Sequence, residues 1–248
     1  MKWYSFLVPK KGEDREYLFK YKKYSHEQGN IVVCRGLEYR KFTMFDDYLD
    51  LAAFLRQTKY EYNCLYELIF GDYCRKPYFD IDIEREKFNI SFDEANDLVR
   101  KIMENIKELI PDLETEGSIM VFTSHTTKKL SYHIVVTGFM LANNNETEVF
   151  YKKATENIDE KYRKIIIDGS VYKTVQQMRI LGCHKWERDN VKKLCEKLSY
   201  NFKIPETFKK ERAIDNYVLN ESLITNTMGC RVLAGFQPED KREHREMA

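Results

Sequence analysis

Residues 78–83 read Tyr78-Phe79-Asp80-Ile81-Asp82-Ile83. In a β-strand successive side chains alternate faces, so Asp80 and Asp82 share one face while Phe79, Ile81 and Ile83 share the other. Carbons two apart on a strand stand roughly 6.5–7 Å from each other. From that spacing two carboxylates can converge on one hard divalent cation, or on two cations about 3.5–4 Å apart. The plainer reading is a half-exposed edge strand whose polar face is Asp-x-Asp. The apolar alternation around the pair argues instead for carboxylates on a buried, rigid strand.

A second group is Lys129-Leu130-Ser131-Tyr132-His133-Ile134. Here Lys129, Ser131 and His133 share one strand face. A cation, a hydroxyl donor and an imidazole in a row match the oxygens of a polyphosphate. Read alone, His133 is as readily a satisfied, partly buried histidine. Asp168 closes the run Ile165-Ile166-Ile167 and precedes Gly169, a pattern shared by metal carboxylates and by plain turn caps. Arg179 and Lys185, six residues apart, are ordinary surface charge or a phosphate clamp with Arg179 as its bidentate element. Jointly the groups describe metal-dependent nucleotidyl or phosphoryl transfer. There is no GxxxxGK[ST] loop of a P-loop NTPase and no kinase motif set. Cys183, His184 and Cys195 lack the paired short spacings of a structural zinc site.

The rest of the chain must position these residues. It has 248 residues, 43% apolar and 33% charged, with 17 Tyr and 15 Phe against 10 Gly and 5 Pro. That composition excludes disordered, collagen-like and low-complexity chains. No apolar run reaches the roughly 20 residues of a membrane span, and the six-residue apolar stretch near the N-terminus is too short for a signal-peptide core. Charge is balanced, 41 basic against 40 acidic residues, so nucleic acid would have to be met by a local basic groove. Six cysteines without a CxxC read as reduced thiols of an intracellular protein. The spacing predicts strands at 4–8, 31–34, 118–123, 131–137 and 165–168, and helices over 45–56, 91–110 and 146–163. A small helix is expected at 190–200. The runs 64–70 and 77–83 suggest a hairpin across a Gly-containing connection. This order suits an α/β (α+β) fold with an antiparallel or mixed sheet backed by helices.

The order of these motifs resembles the archaeo-eukaryotic primase superfamily, in its PrimPol-like and large-DNA-virus branch. The residues that carry it are Asp80 and Asp82, then Lys129-x-Ser131-x-His133, then Asp168 followed by Val171-Tyr172, then Arg179 and Lys185. Tyr66-Glu67 and Cys74 stand upstream at a family-like distance, and the similarity reaches weakly to Arg40. It covers roughly residues 35–190. The resemblance implies an N-terminal α/β subdomain packed on an RNA-recognition-motif-like mixed-sheet catalytic subdomain, with the site in the cleft between. It implies one interleaved catalytic domain over 1–200 and a polar segment or linker over 201–248. Asp80, Asp82 and Asp168 are then the catalytic triad holding Mg²⁺ or Mn²⁺. Lys129, Ser131, His133, Arg179, Lys185 and Arg40 contact the triphosphate, and Tyr66 faces the sugar.

The implied activity is template-directed nucleotidyl transfer from an NTP or dNTP to a 3′-hydroxyl. The implied partners are single-stranded DNA template, primer and a fused or separate helicase, with no membrane. The implied location is the nucleus, the mitochondrion or a viral replication site. Many members carry a zinc-binding segment, and none is recognisable here. Nor is an appendage that would hold a second nucleotide, so primer extension is expected to exceed primer initiation. Two other readings stay open: a non-catalytic primase-like DNA-binding subunit, and another Asp-x-Asp metal-dependent transferase that uses nucleotides.

Overall fold

The computed structural model describes residues 1–9, 15–165, 172 and 174–238. The fold is α+β, built on two four-stranded sheets. The first sheet contains β1 (Ile31–Gly36), β2 (Arg40–Phe45), β3 (Leu65–Phe70) and β8 (Val175–Arg179), in the order β2-β1-β3-β8. All its neighbours are antiparallel. One face carries Ile31, Val33, Phe45 and Leu65, buried under Leu51 and Ala52 of α2 (Tyr48–Gln57) and Leu219 of α8 (Glu211–Ser222). The other face carries Val32, Cys34, Met44 and Leu68, buried under Tyr4 and Leu18 of α1 (Leu18–Tyr21). Alternation of apolar residues along each strand thus feeds two separate cores.

The second sheet contains β4 (Tyr78–Glu84), β5 (Ser118–Thr123), β6 (Lys129–Thr137) and β9 (Lys193–Leu194), in the order β4-β6-β5-β9. Its covered face presents Phe79, Ile81, Tyr132 and Ile134 to α4 (Phe92–Leu109) and α6 (Asn144–Ala154). Helix α4 starts where its sequence says: Ser91 and Glu94 close a reciprocal capping box. The Tyr132 hydroxyl donates to Asn96 Oδ1 at 3.0 Å, and the ring of Phe79 meets that of Phe150 at 6.1 Å. The opposite face, with Asp80 and Asp82, is left for the site.

Several expectations change. The second sheet is antiparallel throughout rather than mixed. The runs at 64–70 and 77–83 do not form a hairpin: β1 and β8 occupy both edges of β3, and β4 joins the other sheet. The connection between them buries Arg75 and Lys76. Arg75 donates to the carbonyls of Phe70 and Tyr73, and Lys76 Nζ donates to those of Asn220 and Glu221 at the C-terminal end of α8, where a cation is favoured by the helix dipole. The helix expected over 146–163 is two: α6 ends at Ala154, where the Thr155 hydroxyl bonds back to the Tyr151 carbonyl, and a short helix resumes at Glu160–Ile165. The stretch 190–200 is not a helix. Its Lys193–Leu194 pairs with the open edge of β5, and Ser199 holds the following turn through Cys195 O. The strand expected at 165–168 lies outside the described residues beyond Ile165. The polar region past Pro205 supplies α8 and the buried Leu223, Ile224, Leu233 and Phe236. Among the described residues no helix is long and apolar enough to cross a membrane.

Candidate active site

The register of one strand pair assembles five of the ten expected residues. Strands β4 and β6 are antiparallel, with Asp80 opposite His133, Asp82 opposite Ser131 and Glu84 opposite Lys129. Directly paired residues project to the same side, so the two carboxylates lie beside the cation, hydroxyl and imidazole. Lys129 Nζ is 2.5 Å from Asp82 Oδ2. His133 Nε2 is 3.2 Å from Asp80 Oδ1. That oxygen is buried yet has no aligned hydrogen-bond donor, and neither has His133 Nδ1 an aligned partner.

Both groups are tuned by their surroundings. Burial pushes the His133 imidazole below its usual range against the pull of Asp80, and the cations Lys192 and Arg179 add to that push. Burial would raise the Asp80 carboxyl, but His133, Lys185 and Lys129 hold it below the usual carboxylate range. The turn between β5 and β6 is held from within. His125 Nδ1 accepts from the Ser131 amide at 3.0 Å, and burial lowers the pKa of that ring as well.

A cleft of about 620 Å³ lies beside them, lined by Asp82, Lys129 and Ser131 together with Lys185, Arg188 and Asn190. Lys185 is held below its ordinary value by burial and by the charge of Arg179, with Asp82 and Asp80 opposing. Arg179, 3% exposed, ends β8. Its Nη1 donates to Asn190 O at 2.5 Å, and its buried Nε has no partner. Arg179 feels the carboxylates of Asp80 and Asp82, which brings the first sheet to the second at this point.

Tyr66 stands directly opposite Arg179 and Cys34 in register. Its ring lies on Gly36, where a Cβ would come within 2.8 Å of it. Arg40 pairs with Gly36 and so shares the face of Tyr66 and Arg179, but it is exposed at the sheet's outer edge. Asp168 and Val171 lie outside the described residues. Tyr172 is described: its hydroxyl donates to the Tyr78 carbonyl at 2.7 Å, two residues before Asp80.

A divalent cation fits Asp80 and Asp82 as two hard oxygen ligands, one of them with a buried, unpartnered atom. Among the described residues no group of three His, Cys, Asp or Glu side chains is set to hold a metal. His184, weighed above as a zinc ligand, has its ring nitrogens 2.8 and 2.9 Å from the carbonyl oxygens of Tyr60 and Lys185. Sequence reasoning missed Lys192, Asn190 and the role of Glu67. Lys192 sits among charged residues and reads as surface, although it is 1% exposed, and nothing in its spacing signals otherwise.

No family model matches the chain. It is similar to viral proteins provisionally named helicase/primase complex protein. With that of African swine fever virus isolate Pig/Kenya/KEN-50/1950 it shares 29% identity over 189 residues, 69% of this chain. With the Badajoz 1971 Vero-adapted strain it shares 28% over 218 residues, 76% of this chain. A shorter stretch of 82 residues is 38% identical to the protein of isolate Tick/South Africa/Pretoriuskop Pr4/1996 and covers 33% of this chain. The matched regions span 18%, 20% and 8% of those three proteins, so the chain corresponds to about a fifth or less of their length.

Proposed function

We propose that the chain is the nucleotidyl-transfer core of a viral primase, joining an NTP or dNTP to a 3′-hydroxyl on single-stranded DNA. The observation that carries this reading is the β4–β6 register, which sets Asp80 and Asp82 beside Lys129, Ser131 and His133, with Asp82, Lys129 and Ser131 on the lining of an open cleft. The similarity to viral helicase/primase complex proteins supports it. A helicase, fused or separate, is the partner those names point to, and a viral replication site is the matching location.

Mg²⁺ or Mn²⁺ held by Asp80 and Asp82, with Asp168 as third carboxylate, would lower the pKa of the attacking hydroxyl and offset charge on the phosphate. The chain's own residues bind and orient. Lys129, Lys185 and Arg179 meet triphosphate oxygens, and Ser131 offers a neutral donor. His133 adds an imidazole donor beside Asp80. Tyr66 and Arg40, on the facing sheet, meet the sugar and an outer phosphate. With the α-phosphate aligned in line, the 3′-hydroxyl gives its proton to water and its oxygen bonds to the phosphorus as the phosphorus bond to the bridging oxygen breaks, and pyrophosphate leaves with that electron pair.

The test is extension of a primed single-stranded DNA template with Mg²⁺ or Mn²⁺, alongside nucleotide binding. Arg179→Ala and Lys185→Ala should each weaken nucleotide binding roughly ten- to a hundredfold, the worth of a charge-assisted contact, and template binding much less. Equal losses for nucleotide and template would show that the basic cluster serves DNA instead. DNA binding with neither nucleotide binding nor extension would make the chain a non-catalytic subunit.

A further inference from the structure

The loop that brings Lys185, Arg188 and Asn190 to the cleft is closed at its base by backbone pairing. The Gly182 amide donates to Lys192 O, and the Lys192 amide donates to Cys183 O, both at 2.9 Å. His184 fixes the near limb, its amide donating to Asn63 O at 3.0 Å and its ring stacked on Tyr60 at 4.6 Å. Two side chains then cross. Lys192 Nζ donates to the carbonyl of Arg179 at 2.8 Å. Arg179 Nη1 donates to the carbonyl of Asn190. Lys192, at the loop's end, thus grips the backbone of the strand, while Arg179, at the strand's end, grips the backbone of the loop.

The lysine is an expensive residue to place there. Its ammonium is enclosed, 4.7 Å above the ring of Phe122, and Phe122 stands opposite His133 in register. No carboxylate forms an ion pair with it among the described residues. Glu67 is the acidic group that favours its charge most, and that carboxylate is already occupied by the amides of Ile224 and Thr225 and the Thr225 hydroxyl. A long apolar side chain would fill the same space without the desolvation cost. What only the ammonium supplies is the bond to Arg179.

Building on the proposed nucleotide site, we infer that Lys192 is a positioning residue for the triphosphate. It touches no substrate and acts by fixing Arg179 and the loop 185–190 relative to each other. The cross-tie divides the work: Arg179 is fixed by the bond of its Nη1 to the loop, and the loop stays in place because Lys192 anchors its end.

The experiment compares the full chain with Lys192→Met by nucleoside triphosphate titration in Mg²⁺, with thermal melting alongside. Nucleotide affinity should fall about tenfold or more through the displaced contacts, while the melting temperature holds or rises because a buried charge is gone. In an Arg179→Ala background the loss from Lys192→Met should shrink, since the guanidinium it places is absent. Lys192→Gln, which keeps a donor for the Arg179 carbonyl, should recover part of the affinity and serves if the Met variant fails to fold. Binding by Lys192→Met within about twofold of the unaltered protein, a fully additive double variant, or no recovery by Gln overturns the inference. If the unaltered protein binds no nucleoside triphosphate, the primase reading falls and this inference with it; if it binds and Lys192→Met binds equally, only this inference falls.

Discussion

Asp80→Asn and Asp82→Asn should each reduce primer extension about a thousandfold or more, the several kcal/mol that metal-held carboxylates supply to phosphoryl transfer. On the proposed function the two serve one cation site, so the double variant should lose little more than either single one. The fold should survive. Asparagine keeps the shape, and the Asp82–Lys129 pair is about a third exposed on both sides, where such a pair contributes roughly 1 kcal/mol or less. Circular dichroism and melting check the fold, and single-turnover extension checks the rate. A double variant that keeps more than about a tenth of the unaltered rate would place the chemistry elsewhere, since a tenfold loss is only about 1.4 kcal/mol.

Glu67→Ala should be the most destabilising single change in the first sheet. The carboxylate is 1% exposed and receives three donors at 3.1 Å from the segment after α8. Burial raises its pKa, while those donors and Lys192 pull it down. Removing it strands two buried amides and a hydroxyl, which at about 1 kcal/mol or more each costs roughly 3–5 kcal/mol together. For a chain of this size that lowers the melting temperature by about 6–20 °C. Glu67→Gln, whose amide oxygen still accepts, should lose less. A drop of under about 3 °C for the alanine variant would mean that the strap after α8 is held by its apolar residues alone.

What the sequence revealed divides along a physical line. Face assignments were legible because the strand period is two and the apolar alternation is strong: Asp80 with Asp82, and Lys129 with Ser131 and His133, needed only local pattern. Helix α4 was legible for the same reason, with a local cap at Ser91. The pairing of Asp80 with His133 was not, because two strands separated by β5 and a long helix choose each other through tertiary packing. The β3–β4 hairpin was misread because a Gly-containing connection says nothing about which strand edges are already taken. Residues 190–200 show how a short apolar run fits a helix or a strand equally well until an open sheet edge claims it. Buried charges were the least visible of all. Arg75, Lys76, Glu67 and Lys192 look solvated by composition, and only the carbonyls and amides they meet in three dimensions explain them.

The placing of β8 beside β3 bears on how the chain is made. Strand β3 emerges early in synthesis with the sequence Leu65-Tyr66-Glu67-Leu68-Ile69-Phe70. Its partner on one side, β1, precedes it, but the other edge stays open until Val175–Arg179 has been translated. At about 5–20 residues per second that interval lasts many seconds. Throughout it an apolar strand edge of the kind that recruits other chains is exposed. The strand that ends the wait is the one that carries Arg179. A nascent chain interrupted before it would therefore lack part of the proposed nucleotide site and be the most aggregation-prone form of this protein, and ribosome-bound chains ending near residue 170 should be the ones that engage chaperones most strongly.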